Sequence, residues 1–270
     1  MLQPKNHDRG AVIAAMAKRD NLERVNMSYP FVQLKDSFYT RYGKRVLDFT
    51  IGFIVSILTL PINLILGILT YIDVGMPLFF KQRRIGKDGK VFNIIKFRNM
   101  RDTKDLFGNL LPPEERVTKF GRLVRKNSLD ELLNFWHIFK GDMSIIGPRP
   151  LPEEFIDRYS NRHKLRHAVR PGLECPCLKP SGSVRLYQEQ FENDIWYVEN
   201  VSFIIDCKLF IRLVQMVLNK SERADHASVG GGYFVGYDES GCAFSMRHIP
   251  DRYIKEYDFE RNRSDNNTAI

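Results

Sequence analysis

Cysteine is scarce: four in 270 residues (Cys175, Cys177, Cys207 and Cys242), at no framework spacing. That excludes a disulfide-stapled secreted fold, and Cys175-Pro-Cys177 is too tight for a Cys-x-x-Cys zinc or redox pair. Reduced thiols in a cytosolic compartment remain. Histidine is nearly as thin, six residues without a zincin pattern. His163 and His167 stand four apart, but among Arg158, Arg162, Lys164 and Arg166 and without a third ligand nearby. A solvated basic helix is preferred there over a metal site. No internal repeat is present. A secretory signal is not indicated either, because the apolar stretch Gly10 to Met16 is short and runs directly into Lys18, Arg19 and Asp20. Acidic residues are the minority sign, 32 against 41 Lys and Arg, for a net charge of +9. The partner is therefore acidic: nucleic acid, an anionic membrane surface or a phosphorylated small molecule. No nucleic-acid docking motif is found, so nucleic acid is not expected.

What the chain does have is one long run without charge, Phe49 to Ile72. It exceeds the roughly 20 residues that cross a bilayer core, which favours a membrane segment over a buried core helix. Two details oppose an ordinary crossing. Pro61 sits mid-run, where it removes a helical hydrogen bond and predicts a kink. Basic residues flank both ends, Arg41, Lys44 and Arg45 before the run and Lys81, Arg83, Arg84 and Lys87 after it, and a single crossing would strand one group on the wrong side. A Pro-kinked re-entrant helix over 46–74 satisfies both. Thr59 and Asn63 either bond the groups freed at the kink or are polar residues tolerated in a tilted helix.

After the run, Leu78 to Gly86 and Lys90 to Arg98 read as a β-hairpin around Asp88-Gly89. Thr103 to Glu115 is polar and contains Pro112-Pro113, predicting a surface loop. Pro152 to Ala168 reads as a charged helix, Phe191 to Val217 as one or two helices. Gly230 to Gly232, Tyr233 to Tyr237 and Cys242 to Arg247 around Asp238 to Gly241 suggest a second hairpin before a charged tail. The expected class is α+β and helix-dominated: a monotopic membrane protein with amphipathic helices at the membrane surface and a small β-hairpin. Its divisions are a polar N-terminal segment 1–40, a main domain 41–220, and a C-terminal extension 221–270.

The candidate chemistry lies in KNSLDELLNFW, residues 126–136. Ser128 with Glu131 three residues on is a capping-box pattern, and Leu129, Leu132, Leu133 and Trp136 follow at helical spacing. Asp130 and Glu131 then share a first turn, where two carboxylates can hold a divalent ion and a phosphoryl group between them. An aspartate there can attack phosphorus. Three basic elements match in type: Lys96-Phe97-Arg98, Gly147-Pro-Arg149-Pro150 and Arg170-Pro-Gly172. Proline presets the backbone, so Arg149 and Arg170 have little entropy left to lose as phosphate clamps.

With these motifs in order, the chain resembles the bacterial sugar transferases, monotopic polyprenyl-phosphate phosphoglycosyl transferases. The matching residues include Lys44-Arg-x-x-Asp48, Pro77-x-x-Phe80-x-Gln82-x-Arg84-x-Gly86, Lys96-Phe-Arg-x-Met100, Thr118-Lys-Phe-Gly-Arg122, Ser128-Leu-Asp-Glu-Leu132, Gly141-Asp-Met-Ser144, Gly147-Pro-Arg-Pro150, Arg170-Pro-Gly172 and Asp194-x-x-Tyr197. They cover roughly residues 40–220. The resemblance implies transfer of a sugar 1-phosphate from a UDP-sugar to undecaprenyl phosphate, starting a capsule, lipopolysaccharide or exopolysaccharide glycan. Asp130 would be the nucleophile and Glu131 the magnesium or proton partner, with Mg2+ held by both. Lys96, Arg98, Arg149 and Arg170 would bind phosphates, and Asp194 would form a polar wall. Implied too are an inner-membrane location facing the cytoplasm, a homodimer, and downstream glycosyltransferases as partners. The sequence departs from the family at Leu60, Asn127, Leu133 and Glu174 to Cys177, the last in a segment expected near the donor. It looks like a minimal catalytic form with a C-terminal extension. The competing reading is a catalytically silent basic adaptor gripping anionic lipid.

Overall fold

The computed structural model describes residues 6–28, 32–177, 186–219 and 232–267. Gly230 and Gly231 of the expected second hairpin lie outside them. The fold is α+β and mostly helical, with three two-stranded sheets among the described residues.

One long helix organises the rest. After a turn at Tyr39–Gly43, α2 (Lys44–Val74) runs unbroken through Pro61. Its burial is inverted relative to a water-soluble helix. The fully buried residues are Asp48, Gly52, Leu66 and Thr70, while Ile54, Leu58, Leu64, Ile68 and Ile72 are exposed. Asp48 and Thr70 face the protein, while most of the large aliphatic residues face away from it. Near its start, Arg45 donates to the carbonyls of Ile138 and Phe139 at 2.8 and 2.7 Å, and Asp48 Oδ1 accepts from Ile145 N at 3.1 Å. Gly52 lets the backbones touch, since a Cβ there would lie 2.8 Å from Phe139 N. Near its end, Asp73 accepts from the Thr118 hydroxyl and Arg98 donates to the Val74 carbonyl. Both ends are therefore held by one body. Thr59 Oγ1 donates to Val55 O at 2.8 Å and Asn63 reaches only Thr59, at 3.5 Å. Neither meets the Ile57 carbonyl that Pro61 leaves without a helical donor.

β1 (Phe79–Ile85) and β2 (Val91–Phe97) form the expected antiparallel hairpin, Ile85 opposite Val91. Asp88 and Gly89 both have positive φ, 55° and 75°, the backbone that a two-residue hairpin turn requires. The loop after it carries fully exposed Leu106 and Phe107 on a tip fixed by Asp105, whose Oδ1 accepts from Phe107 N and Asn109 N. Short α3 (Pro113–Arg116), α4 (Lys119–Lys126) and α5 (Asn134–Lys140) follow.

The core below α2 is built on β3 (Ser144–Ile146), which pairs in parallel with β4 (Gly172–Glu174). The expected charged helix over 152–168 is instead a sequence of short turns, including α6 (Asn161–Lys164). His163, Arg166 and His167 are buried rather than solvated. His163 sits between the Tyr237 hydroxyl at 2.8 Å and Glu192 at 2.9 Å, and burial pushes His167 down to about 3. Among the described residues no group of three or more His, Cys, Asp or Glu could hold a metal. Two helices fill the next stretch, α7 (Tyr187–Asn200) and α8 (Phe203–Leu218). Asp206 on α8 accepts from the hydroxyls of Tyr39 and Tyr197 and pairs with Lys44 at 2.6 Å, tying α8 to the base of α2.

The chain ends meet. α1 (Asn6–Ser28) packs on β5 (Phe234–Tyr237), β6 (Ala243–Ser245) and α9 (Asp251–Asn267) through Ile13, Ala17, Val235, Phe244 and Tyr253. The segment read as polar thus has an apolar stripe, and the charged tail is a helix.

Candidate active site

Asp130 and Glu131 lie on a single turn, Leu129–Glu131, between α4 and α5. Local geometry overturns the capping box. Ser128 is left-handed, φ 54°, and its N–H donates to Arg125 O at 3.1 Å, so it ends α4 rather than starting the next helix. An N-cap needs extended φ and ψ, and no side-chain cap bond is made. Glu131 turns instead to two cations. Its Oε1 accepts from Lys96 Nζ at 2.9 Å and from Arg149 Nη2 at 2.7 Å. The same Lys96 Nζ lies 3.8 Å from Asp130 Oδ2, beyond hydrogen-bond distance.

Each cation comes from a different element. Lys96 stands near the end of β2, set by pairing opposite Phe80. Arg149 is placed by a turn whose three successive carbonyls are all held from outside. Pro148 O accepts from Gly172 N at 3.1 Å, Arg149 O from Arg166 Nη2 at 2.9 Å, and Pro150 O from Arg84 Nη1 at 3.1 Å. Gly172 is needed for this interlock, because a Cβ there would stand 2.2 Å from Gly147 N. The guanidinium of Arg149 also donates to Leu173 O at 3.2 Å and lies 3.5 Å from Glu174 Oε2.

The two neighbouring carboxyls are driven apart. Burial pushes Glu131 up, but Arg149 and Lys96 outweigh it and hold the group at about 2. At Asp130 burial prevails over the more distant Lys96, and the Glu131 charge adds to it, so its pKa stays above the usual value. Such a split assigns different work to adjacent acids. Glu131 is permanently ionised and neutralised. Asp130 carries a destabilised charge, with Lys96 at 3.8 Å and a hydrogen bond from its own backbone offsetting only part of the cost of burial.

The structure brings together Lys96, Asp130, Glu131 and Arg149 from the sequence expectations. It places three others elsewhere. Arg98 faces the end of α2, bonding the carbonyls of Val74 and Met76. Arg170 donates through Nε to Gly141 O at 3.0 Å, at the far end of α5. Asp194, 1% exposed, pairs with equally buried Arg166 at 2.7 Å, and so supports Arg149 through the carbonyl that Arg166 binds. Sequence reasoning missed Arg166 and Glu174. For Glu174 the signal was present, as the first residue to depart from the family pattern after Gly172.

A family model described as bacterial sugar transferase matches residues 39–220. The uncharacterized sugar transferase EpsL of Bacillus subtilis is 41% identical over 175 residues, 65% of this chain and 87% of that protein. The UDP-N-acetylgalactosamine-undecaprenyl-phosphate N-acetylgalactosaminephosphotransferase of Aeromonas hydrophila is 31% identical over 183 residues, 65% of this chain and 43% of that protein. The UDP-glucose:undecaprenyl-phosphate glucose-1-phosphate transferase of Caulobacter vibrioides is 32% identical over 185 residues, 65% of this chain and 69% of that protein. The chain thus spans most of the first relative and less than half of the second.

Opposite pKa shifts predict opposite stability effects. A raised folded pKa means that the folded state binds the Asp130 proton more tightly than the unfolded chain does, so ionisation at neutral pH subtracts stability. Asp130→Asn should therefore raise the thermal midpoint in detergent at pH 7. Glu131 adds stability that is complete above its ordinary 4.5 and lost as pH falls through about 2. Glu131→Gln should cost on the order of 2–3 kcal/mol at pH 7. Shifts of the same sign in both variants would contradict this division.

Proposed function

The chain belongs to the bacterial sugar transferase family, and from that premise we propose that it transfers a sugar 1-phosphate from a UDP-sugar to undecaprenyl phosphate through a phosphosugar ester on Asp130. The observation that carries the reading is the buried Asp130 carboxylate beside a Glu131 already held by Lys96 and Arg149. Names of relatives support the substrates: one acts with UDP-N-acetylgalactosamine and another with UDP-glucose, both on undecaprenyl phosphate.

In the first step an Asp130 oxygen attacks the sugar-bearing phosphorus. The bond from that phosphorus to the bridging oxygen breaks, and the electron pair leaves with uridine monophosphate. In the second step a phosphate oxygen of the lipid attacks the same phosphorus and returns Asp130 as a free carboxylate. No proton has to move if the lipid phosphate enters as a dianion. A weakly stabilised carboxylate is the better nucleophile, which is what burial gives Asp130. Lys96 and Arg149 would attract the diphosphate oxygens, and by binding Glu131 they keep it from adding an uncompensated charge beside an anionic substrate. Two adjacent carboxylates on one turn fit magnesium, which takes one or two carboxylates and completes its shell with phosphate and water. Asp130 and Glu131 would hold it, and when bound it would screen the negative charge between nucleophile and donor.

The membrane reading is monotopic, with both ends of α2 on the cytoplasmic face of the inner membrane and its exposed aliphatic residues in contact with lipid. Its apolar window has a mean hydropathy of 2.3 and is 11% buried. At 1.5 Å per residue the 31 residues of α2 are about 46 Å long, against roughly 30 Å of hydrocarbon. A straight crossing would draw the body that grips both its ends, and the charged site within that body, into the bilayer. The exposed Phe203, Ile204, Ile211 and Leu218 of α8 and the Leu106-Phe107 tip extend the apolar surface.

Asp130→Asn should abolish uridine monophosphate release in membranes supplied with UDP-sugar and undecaprenyl phosphate, a fall of at least about 10³-fold as for loss of a nucleophile. Full retained release would defeat the assignment. Cysteines placed at Lys44 and Lys87 should both react with a membrane-impermeant thiol reagent from the cytoplasmic side. Labelling from opposite faces would defeat the monotopic reading.

A further inference from the structure

The residue that pins the Arg149 turn sits in a cage of aromatic rings. The guanidinium carbon of Arg166 lies 5.5 Å from the centre of the Phe191 ring and 5.9 Å from that of Tyr159. One nitrogen, Nη2, donates both to Asp194 Oδ2 at 2.7 Å and to Arg149 O at 2.9 Å. The guanidinium is a rigid plane with its N–H directions fixed, so a small rotation strengthens one of these bonds at the expense of the other. The bond to the carboxylate is the stronger, and Arg149 O would be the one released. What stops that rotation is the cage.

The cage is held in turn by a residue from a distant part of the chain. Phe234 of β5 stacks on Tyr159 with ring centres 5.5 Å apart and meets Phe191 edge-on at 5.0 Å. All three rings are fully buried. Phe234 lies outside residues 39–220, the segment that matches the family model. Its strand is fastened to the turns below it. A register shift between Phe234 and Gly236 brings Tyr237 into the same apolar cluster as Phe234. The Tyr237 hydroxyl accepts from Ser160 N at 3.0 Å, and Arg158 donates to the Phe234 carbonyl. Val235, between the two, packs elsewhere, in the cluster of Ile13 and Tyr253. Adjacent residues of one strand thus serve two different cores.

We propose that Phe234 is a positioning residue: by locking Tyr159 and Phe191 around Arg166 it fixes the turn that presents Arg149 to Glu131. The C-terminal hairpin is thereby part of the support of the dyad. The consequence for catalysis rests on the functional reading above, whereas the coupling between Phe234 and Glu131 is a property of the fold. Among the described residues Phe234 has no ring contact or hydrogen bond with Arg149 or Glu131, so any coupling must pass through the cage.

The test sets Phe234→Leu against Val235→Ala in the whole purified chain, with Phe234→Met as a second replacement. The Phe234 variants keep their site apolar and remove only the ring, and Val235→Ala loosens the same strand on its other side. Two quantities are read in each: the thermal midpoint at pH 7 with and without Glu131→Gln, and single-turnover release of uridine monophosphate from UDP-sugar without lipid. All three variants should lower the midpoint. Distant sites without shared partners add, so the further loss caused by Glu131→Gln should be unchanged beside Val235→Ala and should shrink by about half beside Phe234→Leu. Release should slow by about tenfold in the Phe234 variants and keep its rate in Val235→Ala. Additive midpoint losses in the Phe234 variants would overturn the proposal. Equal slowing by Val235→Ala would overturn it too, as an effect of strand stability alone. Non-additive midpoints in a protein that releases no uridine monophosphate would uphold the positioning and overturn the functional reading.

Discussion

The site depends on one shared acceptor, Glu131 Oε1, held by Lys96 from the hairpin and Arg149 from the proline-flanked turn. Taking three charges partly out of water is costly, and it is tolerated only where hydrogen bonds are complete. That explains how much structure is spent on Arg149. Its turn is pinned at three successive carbonyls, and Arg166, which pins the middle one, is itself matched by buried Asp194. The chain of support runs from α7 through Asp194, Arg166 and Arg149 to Glu131. Only at its end does it act on Asp130, by fixing the neighbouring charge and holding Lys96 closer to Glu131 than to Asp130.

The long helix joins an apolar outer surface to a charged site: its aliphatic residues are exposed while Asp48 and Thr70 are buried against the body. Arg45 and Asp48 bind one end of α2 to α5 and β3, and Asp73 binds the other to the α4 start. The helix is therefore fixed to the body that carries Asp130 and Glu131, with most of its aliphatic residues turned outward. α1, β5, β6 and α9 form a separate apolar cluster that docks through Tyr237 on His163. It braces the turns that carry Arg166.

Features set by local chemistry were legible in the sequence. Asp88-Gly89 specified a hairpin turn because both positions need positive φ, and the uncharged run specified an apolar helix because no alternative solvates it. The clustering of Asp130, Glu131, Lys96 and Arg149 was also expected. Features set by distant partners were not legible. Ser128 and Glu131 have the spacing of a capping box, but two cations from other elements outbid the cap, and the backbone at Ser128 went left-handed. Arg98 and Arg170 sit in turns like that of Arg149, yet free carbonyls at helix ends took them. The stretch over 152–168 read as a solvated helix because nothing local shows that Arg166 meets Asp194, 28 positions away.

The central claim is that Glu131 is neutralised so that Asp130 can take the phosphosugar. The most direct measurement is peptide mass mapping of the purified protein after exposure to UDP-sugar without lipid acceptor. The account predicts a sugar-phosphate adduct on the peptide containing Asp130, discharged when undecaprenyl phosphate is added. An adduct on another residue, or full transfer to lipid with the Asp130 peptide never modified, would contradict it.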